Sequence, residues 1–306
     1  MLSFARDRIL LSVCVLLTAT FVGFLLLQAS GDLAASLAGE NASADDIAQL
    51  RQQLGLDQPL LLRYWHWLIG ALQGDLGTSY FTREPVTGLF AERLGATLTL
   101  AIAALVISVV VSLPLGVFAA LKPNSWVDGL LSLLALSGQA VPSFWLGLIF
   151  ISFFGVTLRW LPISGSDTAM HFVLPSVVLA VSAIPALARL VRSGMIEVLS
   201  QDYIRTARSK GLPRHRVLMR HALRNALLPV ISLTAVQLGA LLGGSVIVEA
   251  VFAIDGIGQL TFRSIQRGDF PVVQAMLVFV ALSYTVLTLV ADLMNAWIDP
   301  RLRSRK

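Results

Sequence analysis

The stretch YIRTARSKGLPRHRVLMRHALRNALLP, residues 203–229, carries seven arginines and lysines and no acid, between long runs of leucine, valine and alanine. It has the grammar of two short helices. Ser200 or Asp202 stands where a helix cap is expected, and the first helix runs through Lys210. Gly211 then ends it, because a residue without a Cβ enters the left-handed region freely. Leu212 follows, and Pro213 suits the first turn of a second helix that runs towards Leu228 and Pro229. Ala207 is small enough for a close-packed surface there. Retention of positive charge on the cytoplasmic side accounts for the sign of the segment but not for this internal order. A short helix held across a membrane exit is shaped to be gripped by another protein.

The membrane reading comes from composition. Of 306 residues, 56% are hydrophobic and 13% charged, with mean hydropathy +0.77, where globular chains carry about 25% charged residues. A soluble domain has no place for so much apolar surface. A bilayer does, at roughly 20 apolar residues per helical crossing. The single cysteine, Cys14, rules out an intrachain disulfide and argues against a cysteine-based metal site. The net charge of +5 leaves nucleic acid or anionic lipid open until its placement is known.

Six continuous apolar stretches are expected to span: Ile9–Leu27, Leu98–Ala120, about Val127–Thr157 with an interruption near Gly138 and Pro142, Phe172–Leu190, about Leu228–Phe252, and Val272–Met294. The first could be a cleaved signal segment, but it is long for one and no small residue stands three before the expected cut, so a retained helix is favoured. With the N-terminus in the cytoplasm, the inside segments 1–8, 121–128, 189–228 and 295–306 hold sixteen basic residues. The outside segments 31–95, 156–171 and 250–271 hold seven, which supports N-in, C-in topology. The expected fold is an all-α bundle of six transmembrane helices. Residues 1–95 form the first helix with an extracytoplasmic region, and 96–306 a five-helix core with the basic loop at about 200–229. In the outside region, residues 45–56 read as a short helix capped by Asp45 or Asp46 and followed by Gly55, and Tyr64, Trp65 and Trp67 read as interfacial aromatics.

Most enzymatic signatures are missing from the sequence. No lysine follows glycine, so there is no phosphate-binding loop, and neither a zinc-protease helix nor a nucleophile elbow occurs. His215 and His221 are six apart, a poor metal spacing. Asp292 reads as the only acid well inside a span, about a turn from the cytoplasmic end and placed to pair with an arginine. With no ionisable group at mid-membrane, uphill transport needs energy from a partner. An ATPase-independent carrier or intramembrane enzyme, with the basic loop only a topology determinant, is the alternative. Nucleic acid is not expected, since beyond Tyr203 the loop offers no aromatic platform.

The basic stretch resembles the cytoplasmic loop of membrane subunits of bacterial ATP-binding-cassette importers, whose form is EAA, three residues, glycine, then a hydrophobic-Leu-Pro end. Here Arg205, Thr206 and Ala207 stand for EAA, Arg208, Ser209 and Lys210 follow, and Gly211 closes it. The arginine, the threonine and the long spacing to Pro229 resemble the dipeptide/oligopeptide/nickel branch. LGLDQPL (54–60), GDLGTSY (74–80), VPSFWLGL (141–148), WLP (160–162), LPSVVLA (174–180), GGSVIVEAVFAIDGIGQL (243–260), GDFPVVQA (268–275) and DLMNAWIDPRLR (292–303) resemble the same branch in order. Asp255 stands where proline is usual, and SGDL (30–33) lacks the flanking prolines.

The resemblance implies a type I importer permease in the bacterial inner membrane, for a peptide or a related solute such as glutathione or a nickel chelate. The chain itself would bind no cofactor. Its implied partners are a second permease subunit, two ATPase subunits that carry ATP and magnesium, an extracytoplasmic solute-binding protein and membrane lipid. It assigns ATPase coupling to Tyr203, Arg205, Thr206, Ala207, Arg208, Lys210 and Gly211. Polar or small residues in the spans are candidates for the solute path: Gln139 and Ser143 beside Pro142, Gln237 and Ser245 in the fifth span, and Ser283 and Tyr284 in the sixth. Interhelical hydrogen bonding is the plainer use for each of them. The row Ala235, Gly239, Gly243 is expected to serve helix packing.

Overall fold

A computed structural model describes residues 2–29, 33–39, 42–126, 128–130, 133, 138 and 140–298. Among the described residues five helices are long and apolar enough to cross a membrane: Arg6–Ala29, Val86–Leu121, Ala169–Leu199, Leu228–Val251 and Phe270–Asn295. They belong to α1 (Leu2–Ala29), α5 (Val86–Leu121), α7 (Val173–Leu199, led by a 3-10 turn at Ala169–Phe172), α11 (Leu228–Val251) and α13 (Phe270–Ile298). The expected third span contributes α6 (Ser143–Phe150), which continues as a π-helix through Thr157. Its described apolar part is about 22 Å long at 1.5 Å per residue, short of a full crossing. Pro142 sits extended at the head of α6, so the expected interruption is where proline forbids a helical predecessor. Among the described residues there is no strand, only an isolated bridge between Thr78 and Pro85.

Two expected boundaries move. The second span begins at Val86 rather than Leu98, because Val86, Leu89 and Phe90 bury against Ile257, Val272 and Met276 at the end away from the basic loop. The fourth runs past Arg189 and Arg192 to Leu199. Arg192 does not end it, since its guanidinium pairs with Asp128, Nη2 donating to Oδ2 at 2.7 Å, beyond the apolar stretch.

Close approach of α5 and α7 builds the centre. Ala101, Ala104, Ser108, Ser112, Gly116 and Ala119 recur every three or four residues of α5 and are all buried. A Cβ on Gly116 would meet Ala188 O and Val191 Cβ at 2.6 Å. Ser108 Oγ donates to Ala104 O at 2.7 Å and Ser112 Oγ donates across to Ile184 O at 3.1 Å. In a bilayer the apolar solvent drives no association, so small residues that let helices touch replace the hydrophobic effect. The row Gly239 and Gly243 does the same between α11 and α13: a Cβ at Gly239 would lie 2.9 Å from Tyr284 Cδ2.

Helix α1 packs on α13, and at the basic end Arg8 pairs with Asp292 at 2.9 Å. That is the interfacial carboxylate–arginine pair expected of Asp292. Before α5, among the described residues, lie the shorter helices α2 (Leu33–Ala38), α3 (Ala44–Gln53) and α4 (Leu60–Leu72). The cap of α3 is Ser43 rather than Asp45 or Asp46. Asp46, at the third helical position, reciprocates: Asp46 N donates to Ser43 Oγ at 3.2 Å, while Ser43 N and Oγ donate to its carboxylate. Those bonds hold the Asp46 carboxyl below its usual value. Gly55 follows with φ +64°, as its position after the last turn requires.

Candidate coupling face and membrane path

At the basic end, α8 (Asp202–Ser209) is the short helix expected from the sequence. Its cap is Gln201, without a side-chain hydrogen bond. Asp202 is therefore the first helical residue, where a carboxylate complements the helix dipole, and Ser200 closes the preceding helix instead. The C-terminus is a Schellman turn: Gly211, at φ +74°, donates to Arg208 O at 2.9 Å, and Leu212 N reaches Ala207 O at 3.4 Å. Pro213 then caps a second run as its extended predecessor rather than its first helical residue. That run is α9 (Arg214–Arg216), a π-helical stretch Val217–Leu223, and α10 (Arg224–Ala226), leading into α11.

Helix α8 has two faces. Ile204 and Ala207, three apart, are buried with Leu187, Val191 and Met195 of α7, Ala222 and Ala226 of the second run, and Val230 of α11. Tyr203, Arg205, Thr206, Arg208 and Lys210 are exposed. The helix is thus fastened to the feet of two spans by an apolar seam and turns a cationic surface outward. Two contacts were not legible in the sequence. Asn225 Nδ2 donates to Tyr203 Oη at 2.9 Å, tying α8 to α10. Gly194 of α7 admits Ala226 O so closely that an added Cβ would lie 3.1 Å from it. The Arg205–Asp202 pair, at 3.6 Å and exposed on both sides, contributes little to holding the helix.

The solute-path candidates are dispersed. Gln139 lies outside the described residues. Ser143 opens α6 and is half-buried, as are Gln237 on α11 and Ser283 on α13. Ser245 is fully buried and donates to Leu242 O at 2.8 Å. Tyr284 lies against Gly239, two residues and so about 160° around α11 from Gln237.

Asp292 is not the only acid inside a span. Glu249, in the last turn of α11, is fully buried. Its Oε2 accepts from Gln259 N at 3.1 Å, at the start of α12 (Ile257–Arg267), whose own cap, Gly256, supplies no side chain. Thr97 Oγ1 of α5 accepts from Ile257 N at 2.9 Å. A Cβ on Gly256 or Gly258 would fall 2.2 or 2.8 Å from Glu249 Oε2. The EAVFAIDGIG stretch is therefore a carboxylate from one helix capping the next, with glycines making room for it. Nearby, Asp269 accepts from Ser79 Oγ and from Tyr80 N at 2.5 and 3.1 Å, which joins the GDLGTSY and GDFPVVQA segments. Burial, and then the Asp269 charge, push the Tyr80 phenol above its ordinary value. Among the described residues no cluster of histidine, cysteine, aspartate or glutamate is arranged to hold a metal.

Known proteins match this architecture along its length. The family model of the binding-protein-dependent transport system inner membrane component matches residues 112–304, and that of its N-terminal part matches residues 1–101. The glutathione transport system permease protein GsiC of Salmonella typhimurium is 41% identical over 304 residues, 99% of each chain. The protein of that name from Escherichia coli K12 is 40% identical over the same share. An inward-facing structure of the MetNI methionine ABC transporter superposes with a TM-score of 0.58 at 21% identity, covering 69% of this chain and 96% of that one, a likeness of fold. The chain belongs to the binding-protein-dependent inner membrane component family and is a multi-pass permease subunit of an ATP-binding-cassette importer, a transport protein rather than an enzyme.

Proposed function

We propose that the chain forms half of a translocation path in a bacterial inner membrane, paired with a second permease. Two ATPase subunits carrying ATP and magnesium lie below, and an extracytoplasmic binding protein delivers solute from above. The distribution of basic residues supports cytoplasmic N- and C-termini. Residues 1–95 serve as the peripheral helix with its outside region, and 96–306 as the transport core. Helix α8 is the coupling helix, with Tyr203, Arg205, Thr206, Arg208 and Lys210 presented to the ATPase, and Ala207 and Gly211 holding the helix in place. The observation that carries this reading is the burial of Ile204 and Ala207 in one cluster with the feet of α7 and α11. A push on α8 moves both spans as a body, as alternating access requires. The path is assigned to Gln139, Ser143, Gln237, Ser245, Ser283 and Tyr284.

For the solute, a small peptide is favoured, since identity to the glutathione permeases extends over 99% of the chain. Uptake of labelled glutathione and of dipeptides by cells carrying the intact importer, with and without this chain, tests the class. Loss of peptide uptake on deletion supports it. Unchanged peptide uptake with loss of nickel-chelate uptake overturns it.

A further inference from the structure

We propose that the cleft between the outer end of α1, helix α4 and the 76–80 loop holds the phosphate of an outer-leaflet phospholipid, with Arg63 as its counter-charge. The cleft encloses about 510 Å³. Gln28, Arg63, His66, Trp67, Tyr80 and Gln274 are among its lining, and no carboxylate lines it among the described residues. Arg63 is the one arginine or lysine there. Its guanidinium lies 5.9 Å from the Phe24 ring centroid, and among the described residues no acid pairs with it. Asp269, beside Tyr80, is already engaged by Ser79 Oγ and Tyr80 N. A half-buried cation among neutral donors attracts an anion, and a guanidinium matches phosphate geometry.

The surroundings select a lipid over a soluble anion. Tyr64 anchors α4 to α1, with its hydroxyl 2.9 Å from Thr20 Oγ1 and donating to Leu17 O at 3.2 Å, both inside the first span. The opposite stripe of α4, Leu61, Leu62, Trp65, Ile69 and Leu72, is exposed. An interfacial helix with one face on protein and an apolar stripe outward rests in the acyl–headgroup boundary. Phe24 and Gln28 place the cleft at the last turns of α1, the headgroup level, and Trp67 suits that level.

The test is lipid retained by the full-length chain purified in mild detergent, counted by native mass spectrometry and by organic phosphorus. Wild type is expected to keep phospholipid through washing. Arg63→Gln is expected to lose about fivefold or more, Arg63→Lys to keep most, and Arg83→Gln, an exposed arginine outside the cleft, to match wild type. Titration with dihexanoylphosphatidylglycerol is expected to change the Trp67 fluorescence, read against Trp67→Phe, while inorganic phosphate at equal concentration does not. Retention by Arg63→Gln equal to wild type overturns the site. So does a loss in Arg63→Lys as large as in Arg63→Gln, which marks a packing effect. Phosphate acting as well as the lipid assigns the cleft to a free anion and overturns the lipid.

Discussion

At the scale of single residues, Gly211 and Glu249 carry the sharpest consequences. Nothing lies within 4 Å of a Cβ added at Gly211, so its requirement is purely conformational. A left-handed L-residue costs roughly 1–2 kcal/mol, more for a β-branched one, and asparagine tolerates the region best. Gly211→Val is expected to unwind the end of α8 and to depress solute uptake severalfold with membrane insertion unchanged, while Gly211→Asn keeps most uptake. Paired uptake and membrane-fraction measurements check this, and normal uptake with valine would refute the role of the turn. Glu249→Leu strips the acceptor from Gln259 N in a buried site, at about 1–3 kcal/mol. Glu249→Gln keeps a carbonyl oxygen there. Thermal unfolding in detergent should fall clearly for leucine and little for glutamine.

Among the elements, α8 and α3 show what patterning can and cannot give. Glycine and proline punctuation placed the end of α8 correctly, because a positive φ and a missing N–H are properties of the residue itself. The caps were less legible. Ser43, Asp45 and Asp46 are all chemically able to cap α3, and only the reciprocal bond between Ser43 and Asp46 decides among them. This capping box has a pH signature. Because the folded Asp46 carboxyl is depressed by its bonds to Ser43, its stabilisation is fully present above the unfolded value and is lost as pH falls through the folded one. Hydrogen-exchange protection of the α3 amides, corrected for intrinsic rate, should drop between about pH 6 and about pH 2.5; Asp46→Asn should show low protection at both. Between α5 and α7 the small residues are the structural signal. Gly116→Leu would drive a side chain into Ala188 O and Val191 and is expected to destabilise by at least the 1–3 kcal/mol typical of overpacking, read as loss of monodisperse protein.

For the molecule as a whole, the apolar runs and the bias of basic residues were enough to read a polytopic bundle, since bilayer thickness and charge retention act on sequence directly. Lateral packing was not legible. Which face of α5 meets α7, why Glu249 sits beneath α12, and how Tyr203 finds Asn225 depend on residues 10 to 160 positions apart, and hydropathy has no term for such pairs. The basic loop was legible as a helix, glycine and proline in order, while its apolar anchor Ile204 was hidden among the charges. In the proposed function, α8 is the handle through which ATPase motion reaches the spans. Cys14 is the chain's one cysteine, so Cys14→Ser gives a clean background for single cysteines at Arg205, Arg208 and, as a buried control, Ile204, in the chain assembled with its ATPase subunits. Short bifunctional crosslinking should join Arg205→Cys or Arg208→Cys to the ATPase in an ATP-dependent manner and leave Ile204→Cys unreacted. Failure at both exposed positions in an assembled, ATP-hydrolysing complex would contradict the account.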